Sequence, residues 1–126
     1  MSKTPLESVR EYLTAAEERR LEEAAAHLDQ KAILVFPQGQ FRNLADMVAT
    51  MSNRYRSIGK THHTWDVSSS GVDTVVTTTG TLHGVNNHGV SFEGIRFCDR
   101  FVVRDGLIAE QHVWNDLAES GVLEQR

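Results

Sequence analysis

Apolar positions along the chain keep one period in its first half and another in its second. Val9, Tyr12, Leu13 and Ala16 recur at intervals of three and four, which places them on one face of a helix. Thr4 can cap that helix, Pro5 suits its first position, and Glu7 is spaced for a capping box. Residues 21–28, with Leu21, Leu28 and three alanines, predict a second helix or a continuation after a kink. The charged residues 17–23 read as the solvated face of these helices. Residues 32–36, AILVF, form a short apolar run closed by Pro37-Gln38-Gly39 and predict a buried strand. Asn43 can cap a third helix carrying Leu44, Met47, Val48, Met51 and Tyr55, with Gly59 ending it.

From His62 onward the period is two. Residues 62–68 and 74–85 predict strands, the second interrupted at Gly80, where a bend, a bulge or a close backbone approach is expected. Residues 86–89, NNHG, are a turn. Residues 91–116 then form two long strands joined at Arg104-Asp105-Gly106-Leu107. Asp-Gly between apolar runs is a strong hairpin signal, because the turn needs positive φ and Gly allows it. Ile95, Phe97, Phe101 and Val103 share one parity, and Asp99 sits among them. A carboxylate on an apolar face is costly unless paired or protonated. Residues 116–122 predict a last helical turn capped by Asp116. Helices grouped in front of strands point to an α+β fold with three N-terminal helices on an antiparallel sheet.

Composition narrows the function. A chain of 126 residues is one domain by its length, residues 1–126, and long enough for a real core. A net charge of −4 without a basic block argues against nucleic acid, and no apolar run is long enough to span a membrane. The polar N-terminus and the single cysteine, Cys98, fit a cytoplasmic protein. Cys98 has the parity opposite to Asp99 and reads as a structural thiol.

Two stretches, VREYLTAAEERRLEEAAAHLDQKAILVFPQG and GTLHG with SFEGIRFCDRFVVRDGLIAEQHVWND, carry a family resemblance. With the element order, they make the chain similar to the nuclear transport factor 2-like superfamily, in particular its SnoaL-like branch. The resemblance implies a cystatin-like cone: a strongly curved sheet wrapped on a long helix around a pocket. It also implies a homodimer, no cofactor, and chemistry related to polyketide cyclases and ketosteroid isomerases. Tyr12 falls where the isomerases carry the tyrosine of their oxyanion hole, and Asp99 where they carry its protonated acid. Phe36 stands where their general base would be, and Phe cannot take a proton. The cyclase branch places an acid/base aspartate at the end of the last strand, and Asp116 occupies that place.

The site then turns on one register. A simple two-residue turn at Asp105-Gly106 pairs Asp99 with His112, making an acid/base dyad, and Phe97 with Trp114. If Gly106 is instead a bulge in a three-residue loop, the register slips by one, so that Gln111 faces Asp99 and His112 turns to the other face. Asp99, Tyr12, His112 and Asp116 are therefore the candidate catalytic residues. Asp116 is equally placed as a helix cap. Phe36, Tyr55, His63, Trp65, Phe97, Phe101 and Trp114 are the candidate pocket lining; His63 is preferred to His62 because it shares the parity of Trp65. No histidine spacing resembles a metal motif. The expected ligand is small and largely apolar, with a carbonyl or hydroxyl. Three functions remain: a cofactor-independent isomerase, cyclase or dehydratase; a ligand-binding protein; or a dimerisation module.

Overall fold

The computed structural model describes residues 3–126. Its elements are α1 (Pro5–Glu17), α2 (Leu21–Ala25), β1 (Leu28–Phe36), β2 (Gly39–Phe41), α3 (Leu44–Met51), β3 (Tyr55–Ser70), β4 (Asp73–Asn86), β5 (Ser91–Arg104), β6 (Leu107–Asn115) and α4 (Leu117–Ser120). Thr4 caps α1 as expected, its hydroxyl accepting from the Glu7 N–H at 3.1 Å, and Asn43 caps α3 by accepting from the Asp46 N–H at 2.8 Å. The break between α1 and α2, unmarked by Gly or Pro, comes at Arg19, whose φ of 60° is left-handed. That conformation costs a non-glycine residue roughly 1–2 kcal/mol. Arg19 also donates from its guanidinium to the Ala16 carbonyl at 2.9 Å, the same oxygen that accepts its backbone N–H at 3.2 Å, so both bonds hold the helix end.

The sheet runs β2-β1-β6-β5-β4-β3. All neighbours are antiparallel except β1 and β6, so the sheet is mixed rather than purely antiparallel. α1 lies across one face and packs on β3, β4 and β6. Val9 and Tyr12 from α1 meet Leu34, Val76, Phe101 and Ile108 from the sheet, all essentially without solvent exposure. A second cluster, Leu82, Phe92, Ile95, Phe97 and Leu117, fills the other end. Asn86 is fully buried there and satisfies its amide completely. It donates to the carbonyls of Val122 and Gln125 and accepts from the N–H groups of His88 and Val90, pinning the C-terminal segment to the β4–β5 turn.

Three boundaries differ from the sequence pattern. α2 stops at Ala25, and Leu28 already opens β1. α3 stops at Met51, and Tyr55, expected on that helix, is the first residue of β3. β3 therefore begins seven residues before His62. Gly59 does not end a helix; it lies within this strand.

Two bulges decide which side chains face the helices. On β3, His62 pairs with Gly80 but Thr64 pairs with Thr79, so His63 is an extra residue. Gly80 belongs to the same device, since a Cβ there would run into the Thr61 carbonyl oxygen. On the hairpin, Arg104 pairs with Leu107 and Val103 with Ile108, as a two-residue turn requires. Val102 then pairs with Glu110, leaving Ala109 as the extra residue. The register slips by one, Asp99 faces Val113, and His112 faces Arg100. The Asp99–His112 and Phe97–Trp114 pairings of the simple turn do not form, and neither does the Asp99–Gln111 pairing of a bulge at Gly106, because the slip lies at Ala109 and runs the other way, placing Gln111 opposite Phe101.

Candidate functional site

Between α1, α3 and the concave face of the sheet lies a cavity of ≈ 100 Å³. That is room for several waters or a small molecule, and less than the ~300–1,000 Å³ of a site for drug-sized ligands. Its walls are largely apolar, with Leu13, Phe36, Met47, Met51, Leu82, Phe97 and Val113 among them. Polar side chains also break this surface, among them Tyr12, Lys60, His62 and Gln111.

Each of these four has a definite partner. Asp99 is fully buried behind the wall, and Lys60 Nζ lies 2.5 Å from its Oδ2. Asp99 Oδ1 has no hydrogen-bond partner among the described residues. A buried carboxylate is tolerable because the ammonium compensates it. The Lys60 side chain keeps 23% of its exposure, and its Nζ stands 5.1 Å over the Phe97 ring. The Tyr12 hydroxyl donates to Gln111 Oε1 at 2.7 Å. Burial, and then the nearby Asp99 charge, push the Tyr12 pKa far above its usual value, so it stays a neutral hydroxyl. His62 Nδ1 is 2.8 Å from the hydroxyl of Thr78, itself fully buried, and its ring stacks on Trp65 at 4.7 Å. Burial first, and then the Lys60 charge, pull the His62 pKa below 6.5, so the ring is neutral at pH 7.

At the mouth, Glu17 Oε1 accepts from the Lys60 backbone N–H at 3.0 Å. Tyr55 and Arg19 also line the cavity. Burial raises the Tyr55 pKa, while the charges of Arg19 and Arg54 oppose the shift.

The sequence candidates divide between the two faces of the sheet. Tyr12, Phe36, Tyr55 and Phe97 line the cavity, and Asp99 reaches it through Lys60. Tyr12 is not bonded to Asp99; its proton goes to Gln111. Phe101 is wholly core, packed edge-on against Tyr12 at 6.0 Å, and Trp65 reaches the site through His62. His63, His112, Trp114 and Asp116 line an open groove of ≈ 830 Å³ on the opposite face. The bulges at His63 and Ala109 account for the first three of these, since an extra residue inverts the parity of the strand beyond it. His112 there bonds Glu110 Oε1 at 2.8 Å and stacks on Trp114. Asp116 accepts from Arg96 Nε at 2.6 Å on the surface. It does not cap α4 through its side chain; the Asn115 side-chain oxygen accepts from the Leu117 N–H at 3.2 Å. Cys98 lines the same outer groove, and burial raises its thiol pKa. Among the described residues, no three His, Cys, Asp or Glu side chains come together as metal ligands would.

Sequence reasoning did not name Lys60 or Thr78, and it ranked His62 below His63. The available signal was the alternation Ile58, Lys60, His62, which continues the inward parity of β3 back past Gly59.

Comparison with known proteins agrees with this architecture. A family model described as the SnoaL-like domain matches residues 9–111. The chain belongs to the SnoaL-like family. Among solved structures, TerC co-crystallised with polyporic acid superposes with a TM-score of 0.79 at 15% identity, covering 95% of this chain and 98% of that one. A nuclear transport factor 2-like protein of unknown function from Burkholderia pseudomallei gives 0.76 at 18% identity, covering 96% and 97%. A candidate polyketide cyclase from Pseudomonas putida gives 0.68 at 19% identity, covering 98% of both chains. A cystatin-like protein of unknown function from Xanthomonas campestris gives 0.70 at 19% identity, covering 98% and 100%. At these identities the likeness is one of fold. No protein of curated function matches by sequence.

Proposed function

We propose that this SnoaL-like protein binds a small, largely apolar carbonyl or hydroxy compound in the cavity and moves a proton next to the carbonyl without a cofactor. The observation that carries this is a neutral imidazole and a charged ammonium on one cavity wall, two residues apart on β3. His62 supplies the base. In the tautomer that donates Nδ1–H to Thr78, the Nε2 lone pair is free for a substrate proton. Lys60 and the Gln111 amide nitrogen supply donors for the substrate oxygen. Asp99 holds the ammonium in place, and Tyr12 holds the amide by its oxygen. Proton removal from the α-carbon places charge on that oxygen, where these donors stabilise it. The resulting enolate leads to isomerisation, ring closure or loss of a β-hydroxyl, according to the substrate. General acid/base catalysis of this kind is worth ~10²–10⁴-fold.

The SnoaL-like family and a fold neighbour crystallised with polyporic acid support small-molecule binding. The small cavity supports a compact ligand or one admitted by movement of Met47 and Met51. The test is exchange of α-protons in small ketones in D2O, monitored by NMR. Wild-type protein should exchange at least one ketone faster than His62→Gln or Asp99→Asn. Equal rates across the panel for all three proteins would leave a binding protein without chemistry. The homodimer implied by the resemblance stays part of the proposal: Trp114, 55% exposed, stands in the open outer groove. Light scattering on the purified chain decides it.

A further inference from the structure

We infer that Lys60 is a nucleophilic catalytic residue that forms an iminium with the carbonyl carbon of the ligand. This rests on the reading above that the cavity takes a carbonyl compound. Three features of the site converge on it. Among the described residues the amine is the only lysine nitrogen on the cavity wall, and the chain has only two other lysines, Lys3 and Lys31. It stands over an aromatic wall, with the Phe97 ring centroid 5.1 Å from Nζ, on the face that opens to the cavity. A proton acceptor is already in contact with it: Asp99 Oδ2 lies 2.5 Å away, in a carboxylate whose other oxygen has no hydrogen bond among the described residues. Moving one proton from Nζ to Oδ2 removes both buried charges and exposes the nitrogen lone pair to the cavity.

The step balances without a further reactant. The Lys60 amine, having given a proton to Asp99, attacks the carbonyl carbon, and the C=O π pair moves to oxygen. That oxygen takes a proton from the attacking nitrogen as the C–N bond forms, and Asp99 returns its own proton to that nitrogen. The nitrogen of the carbinolamine loses its second proton, through His62, to the hydroxyl, and water leaves as the C=N bond closes. The ammonium and the ketone become an iminium and one water, and Asp99 is left as the carboxylate that pairs the new cation. The iminium withdraws electrons from the α-carbon more strongly than a hydrogen-bonded carbonyl does. His62 Nε2, on the same face of β3, then removes the α-proton to give an enamine. Asp99 thus acts on the substrate only through Lys60, and it is a positioning and proton-holding residue for this step.

The experiment uses the full chain, cyclohexanone as the probe carbonyl, and sodium cyanoborohydride to reduce any iminium to a stable secondary amine. Peptide mapping by mass spectrometry reads the three lysines separately within one sample. Lys60 should acquire the adduct at least ~10-fold faster than the solvent-exposed Lys31, against the trend set by accessibility alone. Asp99→Asn should remove that preference while Lys31 labels as before. Lys60→Met should leave only the slow labelling of Lys3 and Lys31, with circular dichroism checking that both variants are folded. The wild-type ratio needs no variant, so a variant that misfolds does not protect the inference. Equal labelling of Lys60 and Lys31 in the folded wild type overturns it. α-Proton exchange with no Lys60 adduct overturns the iminium and leaves acid/base catalysis standing. Absence of both removes the two together.

Discussion

Replacing Lys60 by Met should destabilise the fold far more than its half-buried position on a strand suggests. The wild-type carboxylate of Asp99 is fully buried, and its Oδ1 already lacks a partner among the described residues. Removing Nζ strips the ammonium from Oδ2 as well. Leaving a buried charge unpaired costs about 3–5 kcal/mol. For a chain of this size ~1 kcal/mol shifts Tm by about 3–5 °C, so the melting point should fall by roughly 10–25 °C. The reverse change, Asp99→Val, should cost less, about 1–3 kcal/mol, because Lys60 retains 23% of its exposure and can turn its ammonium to water in the cavity. Joining the two changes removes both charges and leaves apolar side chains in an apolar wall, so the double variant should lie within ~2 kcal/mol of wild type. Urea unfolding of the four proteins closes the cycle. A strongly favourable coupling is expected, with the double variant more stable than Lys60→Met alone. Strictly additive losses would refute the ion pair as the reason Asp99 is tolerated in the core.

Three further outcomes are expected from the geometry. His62 is held neutral below its ordinary pKa, so in the range between its folded and unfolded values the unfolded chain binds more protons. Its contribution to stability is therefore complete above pH 6.5 and is lost as pH falls through the lowered value; chemical denaturation from pH 7.5 to 5 should show His62→Gln losing less stability than wild type, and wild-type α-proton exchange should decline only below pH 6.5. His112→Ala alters the outer groove and should leave the ketone exchange rate unchanged, whereas a fall comparable to that of His62→Gln would restore the simple-turn register. Gly80→Ala drives a methyl into the Thr61 carbonyl, a backbone atom that cannot rotate away, and should cost about 1–3 kcal/mol in denaturant unfolding.

The family, the α+β class and the hairpin were legible because they depend on spacing and turn chemistry that the chain states locally. Thr4, Asn43 and Asp105-Gly106 do in the fold what their residue types suggest. The orientation of the histidines was not legible, because it depends on bulges. Alternation places His63 beside Trp65 and His112 beside Asp99, and one extra residue in each strand reverses both. Gly80 hinted at the first irregularity, but Ala109 carries no mark of the second. Lys60 escaped for a different reason. Tyr55 fits the apolar spacing of α3 as well as it fits the start of β3, so residues 55–61 looked like the end of a helix and a loop. Tertiary pairing with β4 decides for the strand, and only then does Lys60 acquire a face.

The bulge at His63 also leaves the chain's two tryptophans on opposite sides of one sheet. Trp65 stacks on His62 with Arg10 5.2 Å above its ring, and Trp114 stands 55% exposed on the far surface. Their emission thus divides between two compartments. Light from Trp65 carries the state of the His62 ring and of whatever enters beside it. Light from Trp114 carries only what covers the outer groove. With Trp114→Phe or Trp65→Phe in hand, the native chain becomes its own pair of optical reporters, one for occupancy of the cavity and one for association through the sheet.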